Sequence, residues 1–386
     1  MQSGALLKGR FRTGSLFRLK EWTALDQHEK QWLRGLADSD EVYGLFVPTM
    51  ATPYLTSKIA YLDTALLYYH FQQHEKLPHS FLNRSGIDLQ KVMAHLVLDQ
   101  ILEVEWNGKF LSGTDAVPAI QEGKSNFSKA ATSYLSTLSM EAASYAFLLK
   151  RKDVHSLSQW LYTCHTLAAD GFSDLHLSTE RDVYHFLVSK AGRQFETLLD
   201  KWRFTPPQEG FRWFSWNRAD VYHSTSLPTF KLYISPQPRY LPTIFCKLLS
   251  ALASSDAFCF KTGASKAGLL RPDKLIVYFH SKAALLQMAA ELQHLLANEP
   301  VHGVPFTGQL DERGLLSWGV DPASDTVLET VEGGSWRTMV TEQLAVAISA
   351  ARHHQTTWHD ALPFVVAKLQ TAGIDMDSWT PTDQFN

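Results

Sequence analysis

Cysteine is scarce. Cys164, Cys246 and Cys259 are the three in 386 residues, and no two have Cys-x-x-Cys spacing. That excludes a disulfide framework and a zinc site of ordinary spacing, and it points to a reducing, cytoplasmic compartment. Long uncharged apolar runs are missing too, so no membrane span is expected. Residues 1–18 carry Lys8, Arg10, Arg12 and Arg18 without the apolar core of a secretory signal. They read as a solvated tail or as the secretion address of an injected protein. A surplus of one charge is absent: the formal net charge is −3. There is no global basic field for nucleic acid, and any anion site must be local. The sequence has no Gly-x-Gly-x-x-Gly, P-loop or Gly-x-Ser-x-Gly, so dinucleotide binding, nucleotide hydrolysis and α/β-hydrolase chemistry lack motif support. His353, His354 and His359 have only Asp360 near them to complete a metal set, and read as a solvated tail.

What is present is a folded chain, 45% apolar and 19% charged, long enough for two or three domains. Amphipathic spacing predicts helices over 25–36 and 54–73, with a break at Asn83-Arg84-Ser85-Gly86. Asp88 is placed to cap a helix running to about Asp99. Two alternating runs, 101–106 and 109–113, flank Asn107-Gly108, a hairpin signal, because a type I′ turn needs positive φ at both positions. Helix, helix and hairpin give a winged-helix-like order. Lys91 alone on the second helix disfavours DNA binding, and leaves a core-serving subdomain or strand addition beside Trp106. Residues 122–129 read as a polar connection. Helical spacing then recurs over 130–199, interrupted by Gly171 and Gly192, up to the turn chemistry of Pro206-Pro207-Gln208-Glu209-Gly210. Beyond it, strands (211–216, 229–235, 257–261, 275–279) alternate with helices (241–252, 281–297), and the tail 338–372 is helical. The expected class is α+β: a largely helical N-terminal half with the winged-helix-like hairpin, then an antiparallel or mixed sheet flanked by helices, packed on one face. The expected domains are 1–125, 126–205 and 206–386.

The chemistry concentrates in 230–278. Residues two apart on a strand share a face, so Lys231 projects with Tyr233, and Cys259 with Lys261. A lysine on an apolar alternating strand needs a partner if that face is buried. Lys231, Lys261 and Arg271 could share a phosphate or carboxylate, or sit on solvated strand ends. Gly263-Ala264-Ser265-Lys266-Ala267-Gly268 reads as a mobile loop between strands.

The order Lys231-Leu232-Tyr233-Ile234-Ser235, Phe260-Lys261, Arg271 and Val277-Tyr278-Phe279 resembles the phosphothreonine lyases of bacterial type III secretion. It also resembles the related lyase components of class III and class V lanthipeptide synthesis. The resemblance covers 229–296. It implies β-elimination of phosphate from phosphoserine or phosphothreonine in a peptide or protein, with a partner kinase supplying the phosphate and no metal or organic cofactor. Lys261 would be the base, Arg271 and Lys231 the phosphate ligands, and Tyr278 an orienting group. Tyr233 stands where the family has a histidine acid, with His280 and His223 as alternatives. The late strand, Leu315-Leu316-Ser317-Trp318-Gly319-Val320, lacks the family's arginines, and Arg313 and Arg337 are replacements by position. A (phospho)peptide-binding partner without activity is the competing expectation.

Overall fold

The computed structural model describes residues 5–34, 42–50, 55–78, 81, 88–121, 133–149, 153–169, 175–192, 195–196, 200–207, 213–220, 228–321 and 335–382. The break at 83–86, the connection at 122–129, Gly171 and His223 lie outside them. The class is α+β. Among the described residues no helix is long and apolar enough to cross a membrane.

The N-terminal part contains β1 (Phe11–Thr13), β2 (Phe17–Glu21), α1 (Gln27–Arg34), β3 (Val42–Pro48), β4 (Lys58–Tyr61) and α2 (Leu62–His70). Then come α3 (Leu89–Leu98), β5 (Leu102–Trp106), β6 (Lys109–Leu111) and α4 (Val117–Ile120). The Asp88 carboxylate accepts from the Lys91 N–H at 3.1 Å, capping α3 as its position predicts. Asn107 and Gly108 take φ of 51° and 75°, the left-handed pair that a type I′ turn requires. The helix expected over 54–73 is a correction. Its first part is β4, paired with β3 so that Ile59 lies opposite Leu45, because Ile59 satisfies a strand face as well as a helical stripe. In the hairpin, β5 lies between β1 and β6. Strand addition there is thus confined to the outer edge of β6.

The remainder is built from α5 (Tyr134–Leu148), α6 (Val154–Thr163), α7 (Glu180–Val188), β7 (Trp202–Thr205), β8 (Trp213–Arg218), β9 (Thr229–Ile234) and α8 (Leu241–Leu252). Next come β10 (Cys259–Gly263), α9 (Lys266–Leu270), β11 (Leu275–Phe279), α10 (Lys282–Leu295), β12 (Gly308–Gln309) and β13 (Leu316–Asp321). Two long helices, α11 (Trp336–Ala351) and α12 (Trp358–Thr371), precede the small pair β14 (Ile374–Asp375) and β15 (Thr380–Pro381). Seven strands form one sheet in the order β12-β13-β9-β11-β10-β8-β7, every pair antiparallel. β7 pairs with β8, so the sheet begins before residue 206, and residues 208–210 of the expected turn lie outside the described ones. The main apolar core runs from Leu6 to Trp379.

Alternation sorts the sheet into two unlike faces. Phe230, Leu232, Ile234, Phe260, Val277 and Phe279 are buried in the main core, where α10 packs on β9 and β11 and α8 packs on α10. The opposite face carries Lys231, Tyr233, Ile276, Tyr278, Cys259 and Lys261. Helices also reach this second face, which corrects the one-sided expectation: α11 packs against β13 and against α5 and α6. Gly319 permits it, since a Cβ there would stand 2.5 Å from the Trp336 ring.

The segment 263–268, expected as a mobile loop, is instead tightly packed. Ser265 caps α9 through the Gly268 N–H, and a Cβ on Gly263 would meet the Gly268 carbonyl carbon at 2.5 Å. This backbone contact fixes where Arg271 leaves α9. Gly263→Ala is expected to destabilise the protein by about 1–3 kcal/mol, the usual cost of forcing atoms into a filled site. The check is a lower urea midpoint at unchanged slope.

Candidate active site

Two cross-strand rows build the site. In one, Tyr278 of β11 lies opposite Lys231 of β9 and Cys259 of β10. In the next, Ile276 lies opposite Tyr233 and Lys261, and Lys261 opposite Ser215 of β8. Tyr233, Ile276, Tyr278, Phe258 and Val304 form a small core of their own on this face, with Trp213 and Cys259 against it. The register therefore brings Lys231, Tyr233, Lys261 and Tyr278 together.

The two lysines are treated differently. Lys231 is buried and its Nζ is 2.6 Å from the Asp321 carboxylate at the end of β13. Lys261 has no carboxylate within ion-pair reach among the described residues. Its Nζ instead lies over two rings, 4.8 Å from the Trp213 centroid and 5.1 Å from that of Tyr278, while Lys231 lies 5.5 Å from the same Tyr278 ring. Burial, aided by the Lys231 charge, pushes the Lys261 amine down to about 8. Burial pushes the hydroxyls of Tyr233 and Tyr278 well above their ordinary values and the Cys259 thiol up to about 11. At neutral pH these three acids hold their protons, and Lys261 alone of this row is poised to exchange one. The Tyr278 hydroxyl is buried and makes no hydrogen bond among the described residues.

Arg271 borders this row from the turn after α9. Its guanidinium lies 5.2 Å from the Trp213 ring, on which Lys261 also sits. The turn Arg271-Pro272-Asp273-Lys274 is held from beneath. Ser235 Oγ donates to the Pro272 carbonyl at 2.6 Å, and buried Lys274 contacts His302 Nδ1 at 2.7 Å. Asp273 accepts from Arg271 Nε and Nη2, both at 2.9 Å, and from the Tyr162 hydroxyl at 2.9 Å. Arg337 Nη1 approaches the same carboxylate to 3.0 Å. Arg337 is held by the Tyr162 carbonyl at 2.9 Å and stacks 4.3 Å over the Tyr162 ring. Burial by itself pushes the Asp273 carboxyl up, but Arg337 and Arg271 together outweigh it and hold the group below the ordinary carboxylate range. Arg271 Nη2 also reaches the Tyr162 hydroxyl at 3.2 Å. Its Nη1 N–H groups have no partner among the described residues, which leaves a two-donor fork for an anion.

Three expected residues are placed differently. Arg313 is not brought to this face: its Nη1 donates to the Ala297 carbonyl beyond the end of α10, on the helix-covered side of the sheet. His280 continues the Tyr278 side of β11 and stacks on Phe258 with centroids 4.1 Å apart, at the rim of the row. Arg337 joins the site as a buried support for Asp273. Asp273 and Tyr162 were missed by sequence reasoning. Asp273 stands in the Arg-x-Asp turn itself, a signal available in the sequence. Tyr162 had none, since a tyrosine on a helix face looks like any other. Among the described residues no three His, Cys, Asp or Glu side chains converge as metal ligands.

No family model matches the sequence, and no curated protein matches it significantly. Among solved structures, an effector protein from Pseudomonas syringae pv. tomato strain DC3000 is similar at 12% identity and a TM-score of 0.43, over 65% of this chain and 99% of that one. An effector from Pseudomonas syringae pv. syringae strain 61 is similar at 15% identity and a TM-score of 0.42, over 65% and 98%. The type III effector/phosphothreonine lyase OspF from Shigella flexneri is similar at 13% identity and a TM-score of 0.26, over 36% and 89%. None of these reaches the similarity at which an activity transfers.

Asp273→Ala leaves two guanidinium groups without their shared anion, one of them buried, and is expected to cost about 3–5 kcal/mol. The sign with pH comes from the depressed native carboxyl. Its contribution is complete above the unfolded-state carboxylate pKa, near 3.9, and is lost as pH falls through the lower native value. Denaturant titrations from pH 7 downward should show that loss in the parent protein and a flatter acid limb in the variant.

Proposed function

We propose that the lysine face binds a phosphorylated serine or threonine residue of a peptide or protein and removes the phosphate by β-elimination. The observation that supports this most directly is the Lys261 amine, drawn down to about 8 beside a guanidinium fork. At pH 7.5 roughly a quarter of such an amine is neutral, against about 0.1% at the reference pKa near 10.4.

In the proposed reaction, Arg271 Nη1 and the Lys231 ammonium hold the phosphate oxygens. Neutral Lys261 takes the α-proton, and the C–H electron pair becomes the Cα–Cβ double bond. The Cβ–O bond breaks, and phosphate departs with that bonding pair. Tyr233, whose hydroxyl stays protonated, donates to the departing oxygen as its negative charge grows. Tyr278, wedged between the two lysines, orients Lys261 and offers its own hydroxyl. The products are a dehydroalanine or dehydrobutyrine residue and inorganic phosphate, and the chemistry calls for no metal or organic cofactor. An upstream kinase would supply the substrate. A folded protein and a precursor peptide present the same reacting group.

One observation favours a second reading, phosphopeptide binding without turnover. The Tyr233 phenol, raised well above its ordinary pKa by burial, is a weaker acid than an imidazolium in that place.

Incubation with a phosphothreonine peptide separates the two: loss of phosphoric acid by mass supports the lyase, and saturable calorimetric binding with an unchanged mass supports the binding module. If the peptide eliminates, Lys261→Met is expected to lower turnover by about 10²–10⁴, the range of a general base. The parent rate should rise with pH through about 8 and level off above it, since the base acts neutral. Lys231→Gln removes a charge that depresses Lys261, so the limb should move to higher pH while KM rises. A limb unmoved by Lys231→Gln would exclude Lys261 as the titrating base.

A further inference from the structure

Beside the anion site, α6 and α11 leave a cavity of about 550 Å³ between them, within the roughly 300–1,000 Å³ of binding clefts. Its walls are mixed: His155, Gln159, Trp160 and Tyr162 come from α6, and Thr338 and Glu342 from α11. A hydrogen bond at 3.3 Å between the buried Ser158 and Thr341 hydroxyls closes its floor. Tyr162 is the party wall. The residue lines the cavity while its hydroxyl belongs to the Asp273–Arg271 group.

The charge of this cavity is opposite to that of the anion site. Glu342, half-buried, is its one carboxylate, and no hydrogen bond or ion pair satisfies it among the described residues. The facing His155 Nε2 lies 2.8 Å from the Gln159 amide nitrogen on its own helix, and no ion pair joins His155 to Glu342 among the described residues. Burial pushes the Glu342 carboxyl up and His155 draws it partly back. A half-buried carboxylate whose burial His155 offsets only in part gains from a further cation.

We propose that this cavity is a subsite for a lysine or arginine side chain of the phosphorylated substrate, two or three residues from the phosphorylated residue, with Glu342 as its counter-charge. The inference rests on the phosphopeptide reading of the lysine face. The spacing comes from Tyr162, which lines the cavity and also donates to Asp273, the partner of Arg271. An extended peptide covers about 3.3–3.6 Å per residue, so passing the length of one tyrosine side chain takes roughly two or three residues. The substrate is then read as a pair, an anion and a cation at fixed separation.

The test uses the full chain and peptides with one phosphothreonine and Lys, Ala or Glu at each position within three residues on either side. With the parent protein, Lys two or three positions away should give the lowest KM. Glu342→Gln should raise that KM about ten-fold and remove the advantage of Lys over Ala, and Glu342→Lys should transfer the preference to the Glu peptide. Equal KM for the Lys and Ala peptides, or a Lys preference that survives Glu342→Gln, overturns the subsite while the lyase reading stands. If the parent protein eliminates nothing, that reading has failed, and calorimetric affinities of the same peptides decide the subsite by the same comparison. If no phosphopeptide binds, both readings fall. Should the variants not fold, as judged by thermal melts, the parent peptide series alone decides.

Discussion

The ion group around Asp273 holds the candidate site together. Its carboxylate joins the turn before β11 to α6 through Tyr162 and to α11 through Arg337. Without it, two guanidinium groups of like charge would face each other next to a phenol ring. With it, Arg271 has a fixed direction and a spare edge. Such a group is costly to bury and worth having only where every member is satisfied. Here the partners of Asp273 come from three segments far apart in sequence, so the direction of Arg271 depends on helix packing.

A second constraint is electrostatic economy on the sheet. Lys231 is paired with Asp321, and the Lys231 charge adds to burial in drawing its neighbour Lys261 down. The rings of Tyr278 and Trp213 separate the cations, give Lys261 faces to lie on and exclude water. One sheet face thus holds two chemically identical side chains in different surroundings, one beside an acid and the other over two rings.

Features set by local chemistry were legible in the sequence. Asn107-Gly108 demands its turn wherever it occurs, Asp88 caps the helix that starts beside it, and the spacing of Leu285, Met288 and Leu292 marks α10 unaided. The two-residue period placed Lys231 with Tyr233, and Cys259 with Lys261, before any fold was known. What stayed hidden depends on distant partners. Ile59 fits helix and strand equally until β3 is there to pair with it. Arg313 and Arg337 were indistinguishable by position, and only tertiary packing sets Arg337 against Asp273 and Arg313 against the Ala297 carbonyl. The same holds for Tyr162, which becomes special because Asp273 arrives beneath its hydroxyl.

Gly319 lets the Trp336 ring settle directly on β13, and the next residue, Arg337, is the last member to reach Asp273. On a ribosome the chain delivers Tyr162 first, then the Arg271–Asp273 turn, and α11 after both. Until then Asp273 has Arg271 alone, and the wall that separates the two pockets has nothing to lean on. The sheet can pair its central strands earlier, but its lysine face is finished only by a later, long-range contact of the kind that slows folding. Such an order ties competence to completion: a chain cut short before α11 would carry Lys231, Lys261 and Arg271 without the support that orients them.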